Sequence, residues 1–294
     1  MQVRFVRRQV SSIIKVTGRD RAQFIQGMIT NDVTGPIPQS GLRAFHLDSK
    51  GAIVFPMTLH VSSDALYIDV EGAASQDVIA SFDHFLVMER CSLKDGVGDF
   101  PSYWLLGDVA DIFHEDVRSM DGNLQRINVG DVVVYALPVL RRNGPCFVVW
   151  SADCDVSSVL EHAGAVSTTF AIAENERLSA CIPAGCDDFA RILAMECGIV
   201  DRAISFKKGC YIGQEVTARI DARGRTHREL VLLEIDGETD EREVFSGENV
   251  VGQIRSTTTI GAERTFAICH LRNEARTEPL TVGKLGVSVV RNVV

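Results

Sequence analysis

Apolar residues recur along this chain at two spacings, and the switches between them mark its elements. In SSIIKVTGRDRAQFIQGMITND, the run Ile13 to Val16 reads as a strand turned by Thr17-Gly18. Phe24, Ile25 and Met28 then share one face of a helix of about three turns. The following LRAFHLDSKGAIVFPMTLHVSSDALYIDV alternates apolar and polar residues, with Ser49-Lys50-Gly51 and Ser62-Ser63-Asp64 as turns, so it predicts an antiparallel meander. Helical spacing returns through Val78, Ile79, Phe82, Phe85 and Leu86, and YWLLG is a further strand. The middle third repeats this grammar, with strands near 132–139 and 145–150, a helix near 155–163 and another opening at AENERLSA. From Glu229 onward LVLLEI, ENVVGQIRSTT, TFAICHLR and KLGVSVV are short strands without helical period, predicting a small barrel with DGETDERE as a solvated loop. Helices interleaved with antiparallel strands place the chain in the α+β class.

With 294 residues, 46% of them hydrophobic, the chain can bury a large core, and its length favours two or three domains. Thirty basic against 39 acidic residues leave a formal charge of -9, which opposes general adhesion to nucleic acid or anionic membrane. No apolar run approaches the roughly 18 residues of a spanning helix, and MQVRFVRRQV lacks the apolar core of an export signal. The expectation is a cytoplasmic protein with no membrane partner. Its eight cysteines show no CxxC or paired short spacing, so no zinc or other resident metal site is expected and the thiols should stay reduced. Cys146 and Cys269 lie in strand-forming runs and read as buried hydrophobes.

Cys210 differs from them. In KKGCYIGQEVTAR it follows Lys207, Lys208 and Gly209, in a segment that reads as a turn leading into a strand. Nearby lysines would favour its thiolate if the sulfur is exposed. This motif, with the upstream ERLSACIP, the N-terminal VTGRDRAQFIQGMITNDV and the C-terminal VVGQIRSTT, resembles the YgfZ-type folate-binding proteins, relatives of the glycine-cleavage aminomethyltransferase. The likeness covers nearly the whole chain, and KGCYxGQE is its most specific part. It implies an aminomethyltransferase-like fold: two ferredoxin-like α+β domains, one inserted in the other, around a central opening that holds tetrahydrofolate or a one-carbon derivative, followed by a barrel. On that basis the expected domains are 1–50 with 112–228, an inserted 51–111, and a barrel at 229–294. It also implies a role in assembly or repair of iron-sulfur clusters in client enzymes, including tRNA-modifying ones, with Cys210 as the key thiol.

Folate chemistry narrows the candidates. A pterin edge presents adjacent N–H donors that a carboxylate accepts, apolar side chains sandwich the ring, and basic residues hold the glutamate tail. Glu196, before the motif in a region where the resembled family carries polar folate contacts, is the first candidate for the pterin edge and Glu215 the alternative, although a glutamate directly before a strand is more often solvated. Gly209 and Gly213 would let backbone approach a ligand, or serve only as turn residues. Tyr211 and Gln214 join them as motif residues, with Lys208, Arg219 and Arg223 as cationic contacts. Lys207, Lys208, Arg219, Arg223, Arg225 and Arg228 against Glu215 and Asp221 give a local +4 over 207–228. That segment is a candidate face for a polyglutamate tail, RNA or an acidic partner, or a solvated connector. The alternative function is aminomethyl or other one-carbon transfer. The transferase's aspartate would fall near Asp77, but the Asn-rich turn before it is absent, and Asp77 reads as an exposed carboxylate at a helix start. No GxGxxG, Walker lysine, HExxH or GxSxG is present, and the dispersed histidines and both tryptophans read as structural.

Overall fold

A computed structural model of the chain describes residues 2–36, 41–113, 124–260 and 263–293. Strands β1 (Arg4–Arg7) and β2 (Ser11–Gly18), helix α1 (Arg21–Met28), the meander β3 (Leu42–Leu47), β4 (Ile53–Val61) and β5 (Ala65–Glu71), helix α2 (Ser75–Asp83) and strand β6 (Cys91–Asp95) come first. Then follow β7 (Tyr103–Leu106), α3 (Ala110–Phe113), β8 (Gln125–Val129), β9 (Val132–Pro138), β10 (Cys146–Trp150), α4 (Ser157–His162) and β11 (Val166–Ser167). Helices α5 (Phe170–Ser179), α6 (Gly185–Phe189), α7 (Val200–Ala203) and α8 (Gln214–Arg223) lead to the last strands, β12 (Arg228–Asp236), β13 (Glu243–Ser246), β14 (Asn249–Ile260), β15 (Arg264–Arg272), β16 (Leu280–Val282) and β17 (Leu285–Asn292).

The first sheet has the order β3-β4-β5-β2-β6 and the second β8-β9-β10-β7-β1-β11. Each is strand, helix, three strands, helix, strand in chain sequence, and β1 is the one addition, wedged between β7 and β11. The two sheets face each other. Ile13, Ala65 and Tyr67 of the first pack against Trp104, Val148 and Trp150 of the second. On the outer face of the first, Ile14 and Val16 meet Phe24, Ile25, Met28, Val78 and Phe82 of α1 and α2. On the outer face of the second, Phe5, Leu105 and Val149 meet Ile112 and Leu160 of α3 and α4. Both faces of β2 are therefore covered, which is why consecutive Ile13 and Ile14 are both fully buried. The fold is a helix-sheet-sheet-helix sandwich, and emptying one of its large sites, as in Phe82→Ala, would cost about 3–5 kcal/mol.

The α+β class is as the periodicity implied, and β12-β15-β14-β13-β16-β17 close into a six-stranded C-terminal barrel. By sheet membership, residue 51 lies in the turn between β3 and β4, and the first sheet is drawn from Ser11–Gly18 through Cys91–Asp95. Two local readings change. Helix α2 stops at Asp83, leaving Phe85 41% exposed just past its end. The segment after Gly213 is helix α8 and not a strand. Glycines bracket it. Gly213 stands at its start with φ +79 and Gly224 at its end with φ +67, conformations that favour residues lacking Cβ. Acidic Glu215 in the first turn and basic Arg223 in the last complement the helix dipole. Val216, Thr217 and Ile220, which gave the segment its strand-like look, point it toward neighbouring chain. Val216 lies against Gly51 and Thr217 is buried.

Candidate functional site

Cys210 sits in a loop between α7 and α8 that is fastened to α1. The Lys208 ammonium donates to the backbone carbonyls of Gln26 (2.6 Å), Ile29 (2.8 Å) and Asn31 (2.8 Å), taking up orphan acceptors at the C-terminal end of α1. The Ile212 amide donates to the Gly27 carbonyl at 3.3 Å. Tyr211 is buried, its ring 5.2 Å from the Lys208 ammonium, and its amide donates to the Gln214 side chain at 3.3 Å. Gly213 is pressed onto the first sheet, where an added Cβ would lie 2.5 Å from the Asp48 carbonyl oxygen. Burial lowers Lys208 to about 8, against the pull of Asp32, and raises the Tyr211 phenol, against a hydrogen bond from Thr217.

What this anchored loop presents is a thiol. Among the eight cysteines Cys210 alone is exposed; Cys146, Cys181, Cys197 and Cys269 are buried and Cys91, Cys154 and Cys186 partly so. Burial pushes the Cys146, Cys197 and Cys269 thiols up to about 12, which keeps them protonated and inert at neutral pH. Gly209, beside Cys210, has open space where a Cβ would stand. No group of three or more metal-ligating side chains occurs among the described residues.

Glu196 lies at the other end of α8. Its carboxylate meets His270 Nε2 of β15 at 2.9 Å, bridging the central helices to the barrel. Together with Leu193, Ile220, Arg223, Arg225 and His227 it lines a cleft of about 630 Å³. This cleft combines an acidic group, two apolar side chains and two guanidiniums. Cys210 lines none of the cavities described, and from Gln214 to Ile220, where α8 first lines the cleft, the helix rises about 9 Å. Glu215 and Arg219 are exposed on α8 outside the cleft. The candidate residues thus divide into a thiol loop (Lys208, Gly209, Cys210, Tyr211, Gly213, Gln214) and a cleft (Glu196, Arg223).

A second cavity lies between the two sheets, at the central position. It encloses only about 50 Å³ among Arg43, Asp69, Glu71, Trp104 and Arg141. Arg141 closes it: its guanidinium lies 3.4 Å from the centroid of the Trp104 ring, donates to Glu71 at 2.6 Å and pairs with Glu174. Arg177 continues the network to Glu174 (2.7 Å) and Asp188 (2.6 Å), and Asp188 accepts from Ser256 of the barrel at 2.6 Å. Burial would raise Glu174, but Arg177 and Arg141 outweigh it and hold the carboxyl below its ordinary value. Asp69, facing Arg8 at 2.7 Å, is raised by burial. Ligand sites usually occupy about 300–1,000 Å³. The enclosed space takes a few waters, at roughly 10–15 Å³ each, and no bicyclic ring. The Glu196 cleft has a volume in the ligand-site range, and the space between the sheets with Arg141 in place does not.

Sequence reasoning singled out Glu196, Arg223 and Cys210 but missed His270, 74 residues from Glu196, and the seat that Asp48 and Gly51 make for α8. No local pattern pairs residues so far apart. The glycines at 213 and 224 were the available sign of the helix. Asp77 is exposed in the first turn of α2, as expected.

No family model matches the chain. Among curated proteins it is 22% identical over 238 residues to "Iron-sulfur cluster assembly factor IBA57 homolog, mitochondrial" of Mycosarcoma maydis, covering 75% of this chain and 54% of that protein. It is 27% identical over 262 residues to "tRNA-modifying protein YgfZ" of Vibrio atlanticus, covering 83% of this chain and 72% of that one. The chain therefore spans about half the length of the fungal relative. Among solved structures, the glycine cleavage system aminomethyltransferase T from Bartonella henselae superposes with a TM-score of 0.79 over 98% of this chain and 85% of that chain, at 13% identity. The chain resembles the YgfZ and IBA57 proteins in sequence and has the fold of the aminomethyltransferase. No helix among the described residues is long and apolar enough to cross a membrane.

Proposed function

We propose that this relative of the YgfZ and IBA57 proteins is a tetrahydrofolate-binding accessory factor for iron-sulfur enzymes, tRNA-modifying ones among its clients, and that Cys210 is its working thiol. The single observation that carries the reading is that one cysteine of eight is exposed, on a loop held to α1 by three carbonyl hydrogen bonds. A thiol so fixed is accessible to a partner yet presented in one geometry. One sulfur cannot complete the usual four-thiolate ligation of a cluster. If the cluster is cargo, its remaining ligands come from the client, so Cys210 takes or releases one iron ligand position at a time.

Folate, when bound, supplies a reduced pterin with N–H donors along one edge. In the Glu196 cleft the carboxylate oxygen not engaged by His270 is the acceptor for that edge. Ile220 and Leu193 provide the apolar wall, and Arg223 with Arg225 offers planar forks to the tail carboxylates. His270 holds the Glu196 carboxylate in place from the barrel side.

The test is complementation of cells lacking this protein. Cys210→Ala should leave the circular-dichroism melt unchanged and fail to restore client iron-sulfur activity, whereas Cys154→Ala should restore it. Full restoration by Cys210→Ala would overturn the thiol's role. Calorimetry with tetrahydrofolate should give a saturable heat that Glu196→Gln weakens. A flat titration of the wild-type protein would remove folate from the proposal.

A further inference from the structure

We infer that Val87 and Met88 are the docking tip for the protein partner that Cys210 serves, and that they enter an apolar cleft with a basic rim on that partner. The partner's identity rests on the client reading of Cys210; the tip itself stands on exposure, anchoring and charge.

Val87 is 84% exposed and Met88 87%, while the next most open large apolar side chain among the described residues, Val10 of the β1–β2 loop, stands at 63%. Scattered exposed hydrophobes need no explanation, whereas adjacent ones on a fixed support do. This turn is fixed. The Val87 and Met88 amides donate to the Glu89 carboxylate at 3.2 and 3.1 Å, and the Arg90 amide donates to the Asp20 carboxylate at 2.7 Å. The Leu86 amide donates to the Asp83 carbonyl at 3.1 Å, and the Leu86 side chain packs onto the cluster beneath α1 and α2. The turn therefore holds two apolar side chains out in water, and only a partner that covers them removes that surface from solvent.

Charge narrows the partner. Asp20, Asp83 and Glu89 stand against Arg19 and Arg90 around the turn, a local -1 in a chain of -9. Arg19 is drawn to Asp20 at 3.4 Å, Arg21 donates to the Gly18 and Ser63 carbonyls, and Lys94 leaves β6 on the face opposite Cys91 and Leu93. At Cys91, just past the turn, burial raises the thiol, and the charges that add to it, Glu89, Asp20 and Asp83, are all acidic. An anionic bilayer is repelled from such a surface. A second copy meeting it tip to tip would set these carboxylates against their own images. An apolar cleft edged by lysine or arginine matches it. The thiol loop shares this side of the fold, since Leu86 and Ile212 pack on one cluster. Asp20 holds the tip at the start of α1, and the Gly27 carbonyl holds Ile212 near its end. The eight residues of α1 rise about 12 Å, whereas an ordinary interface covers about 800 Å² of each partner, roughly 30 Å across. A protein seated on Val87 and Met88 has the Cys210 loop within its footprint.

Biolayer interferometry with the full chain and the purified apo form of an iron-sulfur tRNA-modifying enzyme of the same cell tests this. The double variant Val87→Gln, Met88→Gln should weaken binding at least tenfold, with the melt and the rate of Cys210 alkylation unchanged. Val10→Gln should bind as wild type does. Asp83→Lys, which reverses one carboxylate beside the tip, should weaken binding about three- to tenfold; tighter binding would overturn the basic rim. Undiminished binding by the double variant, with Cys210→Ala still inactive in cells, would overturn the docking tip and leave the client reading standing. Failure of the wild type to bind overturns the tip as well, and if Cys210→Ala is active in cells the client reading falls with it. Should the double variant instead abolish co-sedimentation of the wild type with phosphatidylglycerol vesicles, or turn a wild-type dimer into a monomer in sedimentation, the tip serves a membrane or a second copy and the inference fails.

Discussion

Lys208 precedes the thiol by two residues, and Lys208→Met isolates what its ammonium does. The ammonium satisfies three carbonyls at the end of α1 at 2.6–2.8 Å. Hydrogen bonds to a charged group contribute about 1.5–3 kcal/mol each. Fixing a lysine side chain costs about 2 kcal/mol of rotamer entropy, and the freed carbonyls of a half-buried helix end regain some water. Desolvation of the ammonium, the same effect that depresses its pKa, offsets most of the rest, so the net loss expected for Lys208→Met is about 1 kcal/mol. At about 2 °C per kcal/mol for a chain of this size, the melting midpoint should fall by about 2 °C. Lys207→Met, on the exposed neighbour, should stay within about 0.5 kcal/mol of wild type. There is also a pH signature. Burial lowers Lys208 to about 8 from 10.5, so between these values the unfolded chain holds a proton that the folded chain has released. Stability of the wild type relative to Lys208→Met should therefore rise as pH goes from about 8 to 10.5. Melts of the three proteins at pH 7.5 and 9.5 measure both effects. A Lys208→Met protein that melts with Lys207→Met and shows the same pH slope as wild type would refute the anchoring argument.

Other expectations follow from the same geometry. Iodoacetamide applied to the folded protein should label Cys210 first, as read by peptide mass spectrometry, and prior labelling of Cys91 or Cys186 would contradict its singular exposure. Cys146, Cys197 and Cys269 stand at about 12 when folded against about 8.5 unfolded. The unfolded chain loses these protons first, so stability is intact below about pH 8.5 and falls above it, by about 1.4 kcal/mol per pH unit for each thiol; guanidinium midpoints at pH 8 and 10 would show it. Gly213→Ala places a Cβ 2.5 Å from the Asp48 carbonyl at φ +79 and should cost more than about 2 kcal/mol. Gly224→Ala, at φ +67 but in open space, should cost only about 1 kcal/mol. Equal losses at the two glycines would mean that the seat on the first sheet is unimportant.

How far the sequence could be read depended on the range of the forces involved. Phe24, Ile25 and Met28 announced a helix because a single face had to be buried, and all three are buried. The meander and the barrel were legible for the same reason at period two. Helix α8 was misread because Val216, Thr217 and Ile220 are β-branched, and their stripe becomes visible only once Gly51 and Asp48 of the β3–β4 turn are brought beneath it. Glu196 could be proposed as a ligand group, but its pairing with His270 depends on closing the barrel onto the helices. Lys208 looked like a surface cation for an anion; only the fold shows α1 ending within its reach. Arg141 carried no signal at all, since its partners Glu71, Glu174 and Trp104 come from three separate segments.

The ion network through Arg177 bears on how this chain can be dissected. Glu71 belongs to the first sheet, Arg141 to the turn after β9, Glu174 and Arg177 to α5, Asp188 to α6 and Ser256 to the barrel. Cutting the polypeptide anywhere between them strands an unneutralised charge in a fragment's interior, a penalty of about 3–5 kcal/mol that has nothing to do with whatever was deleted. Truncations of this protein would report on a severed knot, and only point substitutions outside it can apportion work between the barrel and the sandwich.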